Sequence, residues 1–244
     1  MSRTPRIFIE QPLSAGTPLV LPDGAQRHLV RVLRLGDGDE IVLFNGDGLE
    51  YPARLTAVGR RHAEAIPAEP EATRRESPLE LTLALCISKP ERMDWGLQKA
   101  VELGVTRIVP VISEHCAVRL GAKRGEKKQS HWRGILVAAA EQCGRTRLPE
   151  LAAQTAITEL DAQLGAGTRW QLDADAETAL IDADPDPGPL SLLIGPEGGF
   201  GPADREAAAA QGFRALRLGP RTLRTETAVA AALCLVQARH GDLR

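Results

Sequence analysis

The sequence predicts an α/β protein in two parts, a small β-rich domain followed by a larger domain built on a mainly parallel sheet. Three observations predict it. Short apolar runs closed by prolines or Asn-Gly turns fill the first 66 residues. Residues 67–78 then lose periodicity and carry three prolines, which is linker chemistry. Beyond them, strand-like and helix-like segments alternate. Domains are accordingly expected over residues 1–70 and 78–244.

In the first part, residues 6–9 and 19–21 are apolar runs ended by Pro12 and Pro22. Asp23 is expected to cap a short helix in which His28, Leu29, Val32 and Leu33 share a face, with Arg27, Arg31 and Arg34 pointing elsewhere, until Gly36-Asp37-Gly38-Asp39 stops it. A strand over 40–44, the turn Asn45-Gly46-Asp47-Gly48 and a strand over 49–58 read as a hairpin. Together these segments suggest a small β-barrel. In the second part, residues 79–87 and 108–112 are strands around a helix over 90–104, a βαβ unit. A longer helix over 127–143 has Trp132, Ile135, Leu136 and Ala139 as its apolar face. Strands over 169–172, 190–194 and 215–218 follow, with a helix over 202–211 opened by proline and a closing Ala-rich helix over 225–239.

Composition bounds the function. Apolar residues at 43% and charged residues at 25% exclude a disordered chain. The four cysteines lie at least 27 residues apart, so no Cys-x-x-Cys pair marks a zinc or dithiol site, and no metal is expected. Met1 to Arg6 lead into no apolar signal segment, and the longest apolar run, Ala228 to Val236, is about half a bilayer span. A cytoplasmic protein without a membrane partner is expected. The formal net charge of -2 conceals segregation: residues 1–75 are neutral, 76–149 carry +4, 150–190 carry -8 and 191–244 carry +2. A polyanion on one face is therefore compatible with a near-neutral total.

The densest chemical signal is Leu192-Leu193-Ile194-Gly195-Pro196-Glu197-Gly198-Gly199-Phe200-Gly201-Pro202, a buried strand running through four glycines into a helix. Glycines at the carboxyl end of a strand let backbone approach a ligand. The offsets match neither Gly-x-Gly-x-x-Gly nor a P-loop, which disfavours phosphate cradling and a dinucleotide-dependent oxidoreductase. A plain strand-to-helix connector is the competing reading of this loop alone. The arrangement recurs in Leu216-Arg217-Leu218-Gly219-Pro220-Arg221-Thr222-Leu223-Arg224-Thr225-Glu226, so two such loops can wall one pocket. Glu141-Gln142-Cys143-Gly144-Arg145 is a third polar cluster, equally readable as an ordinary helix end with basic residues complementing its dipole.

His28-Leu-Val-Arg-Val-Leu-Arg34, Lys89-Pro-Glu-Arg-Met-Asp-Trp-Gly-Leu-Gln-Lys-Ala-Val-Glu-Leu-Gly-Val105, Glu141-Gln-Cys-Gly-Arg145, Ile194-Gly-Pro-Glu-Gly-Gly199 and Leu218-Gly-Pro-Arg-Thr-Leu-Arg-Thr-Glu-Thr-Ala228 carry a family resemblance over nearly the whole chain. The sequence resembles the bacterial methyltransferases that modify N3 of a uridine in 16S ribosomal RNA, members of the SPOUT superfamily. Cys143, where that family has Ser or Ala, and Pro220-Arg221-Thr222 are small departures. The resemblance implies a PUA-like barrel before a SPOUT-type parallel sheet with a C-terminal trefoil knot, S-adenosylmethionine as cofactor, 16S rRNA within the small ribosomal subunit as partner, and a homodimer.

It also implies roles. Ile194, Gly195, Pro196, Glu197, Gly198, Gly199, Leu218, Gly219 and Leu223 would bind the cofactor. Uracil N3 is a poor nucleophile until its proton leaves, so a base or an electrostatic substitute is required. Glu226 and Glu102 are candidates for proton acceptor, and Arg224 or Arg145 for stabilising the uracil oxyanion. The competing readings are a helix partner of Lys99 for Glu102 and helix-dipole complementation for Glu226. Arg3, Arg6, Arg27, Arg31 and Arg34, with a second cluster of Lys123, Arg124, Lys127 and Lys128, are available for RNA phosphates, which give affinity rather than choice of uridine. The alternative from another class is a non-catalytic RNA-binding assembly factor of the same fold.

Overall fold

A computed structural model describes residues 4–116 and 122–243, with the side chains of residues 122–124 outside the described set. The chain divides into one compact unit of residues 1–76 with 140–148, and a second of residues 77–139 with 149–244.

The first unit contains β1 (Arg6–Phe8), β2 (Leu19–Val20), α1 (Asp23–Gln26), β3 (Glu40–Phe44), β4 (Leu49–Thr56), β5 (Glu64–Pro67) and β6 (Glu71–Ala72). The strands run in the order β1-β3-β4-β5-β2, with β6 on β4. Residues alternate faces along a strand, so Ile41 and Leu43 of β3 and Tyr51, Ala53 and Leu55 of β4 reach one core with Ile7, Ile9, Leu21 and Ala65. The hairpin expected at residues 45–48 forms: Gly46 and Gly48 take φ of +96° and +98°, and β3 and β4 pair antiparallel with Leu43 opposite Tyr51. Strand β6 falls inside the segment read as linker, pairing Glu71 with Glu50. A two-residue polar strand has no periodicity to detect.

The helix over residues 23–33 differs from expectation. Asp23 occupies its first turn behind an N-cap at Pro22, and α1 widens into a π-helical turn over Arg27–Val32, closed by Leu33 N–H to His28 O at 3.0 Å. The chain leaves at Arg34, which adopts φ +59°, with Leu35 N–H bonded to Leu29 O at 3.0 Å, so the stop precedes Gly36. The wider turn breaks the 3.6-residue register. Leu29 is buried, whereas His28 is exposed, Val32 is 65% exposed and Leu33 is 40% exposed.

The second unit holds β7 (Leu81–Cys86), α2 (Pro90–Glu102), β8 (Arg107–Ile112), the longer part of α3 (Ala122–Cys143), β9 (Glu150–Leu151), β10 (Thr155–Ala156), β11 (Thr168–Leu172), β12 (Leu190–Ile194), α4 (Pro202–Ala210), β13 (Arg214–Leu216) and α5 (Thr225–His240). All strands are parallel in the order β10-β8-β7-β12-β11-β13, with β9 on β8. Sequence reading missed the two-residue β9 and β10 and placed Leu218 in β13, whereas that strand ends at Leu216. Strands β7 and β12 are nearly continuous buried apolar runs, as parallel strands covered on both faces must be. Helix α5 packs on α2, and Gly96 permits the approach: a Cβ there would lie 3.3 Å from Leu85 Cδ2 and 3.7 Å from Val229 Cγ2. Gln237, fully buried on α5, donates to Leu103 O at 2.8 Å and accepts from Ser77 Oγ at 2.8 Å.

Candidate functional site

Strands β12 and β13 flank β11, so the segments after all three emerge side by side at the carboxyl edge of the sheet. They wall a cavity of about 150 Å³. Ile194 ends β12, Gly195, Pro196, Glu197, Gly199 and Phe200 come from the loop after it, and Leu218, Gly219, Arg221, Thr222 and Leu223 from the loop after β13. Leu172 ends β11, Asp173 and Ala174 follow it, and Thr225 and Ala228 open α5. Open α/β sheets bind ligands at this edge.

The local chemistry fixes the loops. Gly199 and Gly219 adopt φ of +68° and +81°, which a side chain would strain. A Cβ on Gly195 would lie 3.1 Å from the Phe200 ring. Thr225 Oγ1 donates to Gly195 O at 3.3 Å, joining the start of α5 to the loop after β12. Asp204, only 3% exposed, accepts from Gly201 N–H and Glu114 N–H, each at 3.1 Å, and so ties the segment after β8 to the entry of α4. His115 Nδ1 lies 3.2 Å from Gly198 O and 3.3 Å from Gly199 O.

Eight of the nine residues read as cofactor-binding line the cavity; Gly198 instead faces His115, whose Cβ would lie 3.1 Å from a Cβ at that position. Glu226 and Arg224 flank Thr225, which lines it. Glu226 Oε2 stands 3.8 Å from Arg92 Nε, and Arg92 Nη1 is 3.3 Å from Glu197 Oε1. Glu102 lies ten residues beyond Arg92 on α2, roughly 15 Å along the helix axis, and is bound by Lys99 Nζ at 2.7 and 2.9 Å. The helix-partner reading of Glu102 is the one its geometry supports.

Arg145 does not line the cavity. It is 4% exposed and belongs to the first unit, where its guanidinium holds Glu76 Oε2 at 2.8 and 2.9 Å and its carbonyl accepts from Arg6 Nη2 at 2.7 Å. In the same Glu141–Arg145 cluster, Glu141 Oε1 accepts from Phe8 N–H at 3.0 Å. Burial pushes the Glu141 carboxyl above the usual range, against the lowering effects of that N–H, His28 and Arg6.

Arg6, of the residues read as phosphate-facing, is 7% exposed, paired with Glu50 and stacked 4.8 Å from the Phe44 ring centre. A strand position with an inward side chain explains this. Arg27, Arg31 and Arg34 are exposed. Arg27 and Arg31 share a polar groove of about 330 Å³ with Asp23, Gln26 and Arg61, the last adjoining Arg60 in the segment before β5 and absent from the residues read as phosphate-facing. Lys127 is exposed, and Lys128 Nζ sits 5.9 Å from the Trp132 ring centre. Arg3 and the side chains of Lys123 and Arg124 lie outside the described residues.

Sequence reading also missed Asp173 and Arg92. Asp173 directly follows β11, where the strand-end rule would have pointed. Burial raises its carboxyl, but hydrogen bonds from Arg205, at 2.7 Å, and from Asp175 N–H outweigh that and hold it below the ordinary value. Arg92 sits in a quoted motif, yet only the fold shows which carboxylates it meets. Among the described residues no group of three or more His, Cys, Asp or Glu is arranged to hold a metal ion, and no helix is long and apolar enough to cross a membrane.

Fold and site define a class: a PUA-like domain joined to a SPOUT-type parallel sheet whose strand-end loops enclose a ligand cavity. Residues 75–237 match the family model of an RNA methyltransferase domain, and residues 21–68 that of an RNA methyltransferase PUA domain. The chain belongs to this RNA methyltransferase family. A relative from Buchnera aphidicola, ribosomal RNA small subunit methyltransferase E, is 33% identical over 99% of this chain and 98% of its own. A methyltransferase structure from Legionella pneumophila in complex with the bound cofactor SAM is 38% identical, with TM-score 0.95 over 99% of this chain and all of that one. A ribosomal RNA small subunit methyltransferase E from Neisseria gonorrhoeae bound to S-adenosylmethionine is also 38% identical, with TM-score 0.92 over the same shares.

Proposed function

We propose that this protein is an S-adenosylmethionine-dependent methyltransferase acting on N3 of a uridine in the 16S rRNA of the small ribosomal subunit. One observation carries the reading: the two glycine loops of the second unit wall a single cavity at the sheet edge, in a fold that two 38%-identical structures share with the cofactor bound. The residues present suit that cofactor. Backbone at Gly199 and Gly219 has open space beside it, and Ile194, Leu218 and Leu223 supply apolar walls for an adenine ring. The knot implied by the resemblance would run through these same loops. When bound, the cofactor supplies an electrophilic methyl group on a sulfonium, which needs alignment more than covalent help.

The chain's own residues have three tasks. Glu226, flanking the cavity, accepts the N3 proton. Arg224, exposed at the N-cap of α5, stabilises charge on the uracil oxygens. Arg27, Arg31 and Arg34 of the first unit, with Lys127 and Lys128, meet RNA phosphates, so affinity falls with salt. The helix α5 presents Thr227, Cys234 and Ala238 to its exterior, a small-residue face suited to a second copy and hence to a homodimer. Four free thiols suit the cytoplasm, where ribosomes are built.

The test is methyl transfer from labelled cofactor to naked 16S rRNA and to isolated small subunits, with the modified nucleotide mapped. Labelling of one uridine at N3 is expected. Cofactor binding without transfer to either RNA would favour an assembly factor.

A further inference from the structure

Arg92, on the first turn of α2, faces two carboxylates at once. Its Nη1 is 3.3 Å from Glu197 Oε1, which also accepts Lys89 N–H at 3.2 Å. The ion pair and the Lys89 N–H thus fall on one oxygen, and Glu197 anchors the guanidinium. Arg92 Nε then stands 3.8 Å from Glu226 Oε2, within ion-pair reach but beyond a hydrogen bond. Glu226 Oε2 is shielded from solvent and has no hydrogen-bond partner. Buried carboxylate oxygens are ordinarily saturated, so an open one is an acceptor held in reserve. It is held beside the cavity: Thr225 and Ala228, which bracket Glu226 on α5, both line it, as does Glu197.

We propose that Arg92 is a positioning residue for methyl transfer, anchored on Glu197 and aiming the carboxylate of Glu226 so that Oε2 stays open to the N3 proton of the target base. This rests on the methyltransferase reading above. A guanidinium suits the task because its planar fork addresses two carboxylates in fixed directions. A full hydrogen bond from Arg92 would occupy the oxygen that must take the proton, and no cation at all would leave the carboxylate free to rotate. The linkage also joins a cavity-lining loop to the catalytic candidate through a third element, α2.

The experiment compares wild type, R92Q, R92K, E226Q and R92Q/E226Q in single-turnover methylation of small subunits, with calorimetric binding of S-adenosylmethionine and a thermal melt for each. R92Q is expected to lower the rate of transfer by about 10- to 100-fold, the cost of misplacing a catalytic group, while cofactor affinity stays within about twofold. R92K, a point charge able to serve one carboxylate, is expected to recover part of the rate. In the E226Q background R92Q is expected to add nothing, which loss of a merely structural contact would not reproduce. Equal rates for R92Q and wild type, full activity in E226Q, or multiplying losses in the double variant would each overturn the inference. If R92Q fails to fold, R92K against R92K/E226Q makes the same comparison. No transfer by the wild-type protein, with R92Q binding cofactor normally, overturns the methyltransferase reading itself and this inference with it.

Discussion

Two arginine–carboxylate networks, one in each unit, are built from the same residue types and differ in how their glutamates are engaged. In the first, Glu76 accepts from Arg145 through Oε2 and from the N–H groups of Thr146 and Arg147 at 2.9 and 3.0 Å through Oε1. Glu50 pairs with both Arg6 and Arg75, and Arg75 reaches Gly144 O at 3.2 Å. In the second, Arg92 reaches Glu197 and Glu226 at 3.3 and 3.8 Å and leaves a shielded oxygen open. A carboxylate with both oxygens occupied, as in Glu76, fixes backbone; one with an oxygen unfilled, as in Glu226, retains capacity for a proton or a ligand. Motif membership alone does not separate them, since Arg145 and Arg92 both stand in segments that carry the family resemblance.

The largest effect should come from breaking the Glu76 network. Arg145→Ala strands Glu76 with its remaining donors and removes a buried cation, a class of change that costs about 3 kcal/mol when, as here, one partner keeps some solvent contact. Urea denaturation should show the transition of the first unit moved to lower denaturant, while Glu76→Gln, which keeps an acceptor oxygen, should lose less. If Arg145→Ala melted like wild type yet abolished methyl transfer, Arg145 would return to the chemistry and the contrast between the networks would fail.

That contrast also measures what could be read from residues alone. The parallel sheet was legible because its strands are apolar runs such as Leu190–Ile194 with helical periodicity between them, and the cavity because two glycine-rich segments each follow a strand. The π-helical turn was not legible: periodicity assumes 3.6 residues per turn, and His28 to Leu33 give no local warning that the pitch widens. Nor was the inward turn of Arg6, because strand alternation does not say which face a three-residue strand buries. Pairings at long sequence separation, such as Arg6 with the Arg145 carbonyl or Arg92 with Glu197 and Glu226, exist only once the topology is known.

A smaller effect should follow Gly219→Ala. The position has open space but φ of +81°, so the change costs backbone strain of about 1 kcal/mol and no steric clash. Because this backbone lines the cavity, part of that strain should appear as weaker binding of S-adenosylmethionine in calorimetry, with the melting of the first unit unmoved. Unaltered affinity would mean that the loop after β13 takes no part in the site.

The smallest effects are in pH dependence, and they should have opposite signs in the two units. Glu141 has a raised folded value, chiefly through burial, so the folded first unit holds its proton more firmly than the unfolded chain does. Its contribution therefore becomes less favourable as pH rises from the unfolded value, about 4.3, through the folded one. Glu141→Gln keeps an oxygen for the Phe8 N–H, and its stability relative to wild type should improve across that window and then level. Asp173 has a lowered folded value because the Arg205 and Asp175 donors outweigh its burial. Its contribution is complete above the unfolded value, about 3.9, and is lost as pH falls through the folded one. Asp173→Asn should therefore be less stable than wild type near neutrality, the difference closing toward acid, and the half-exposed Arg205 keeps it small. Chemical denaturation of both variants across this range gives two difference curves. Curves of the same sign would show that the Phe8 N–H, rather than burial, dominates at Glu141, and that its carboxylate is held charged as firmly as the one at the cavity.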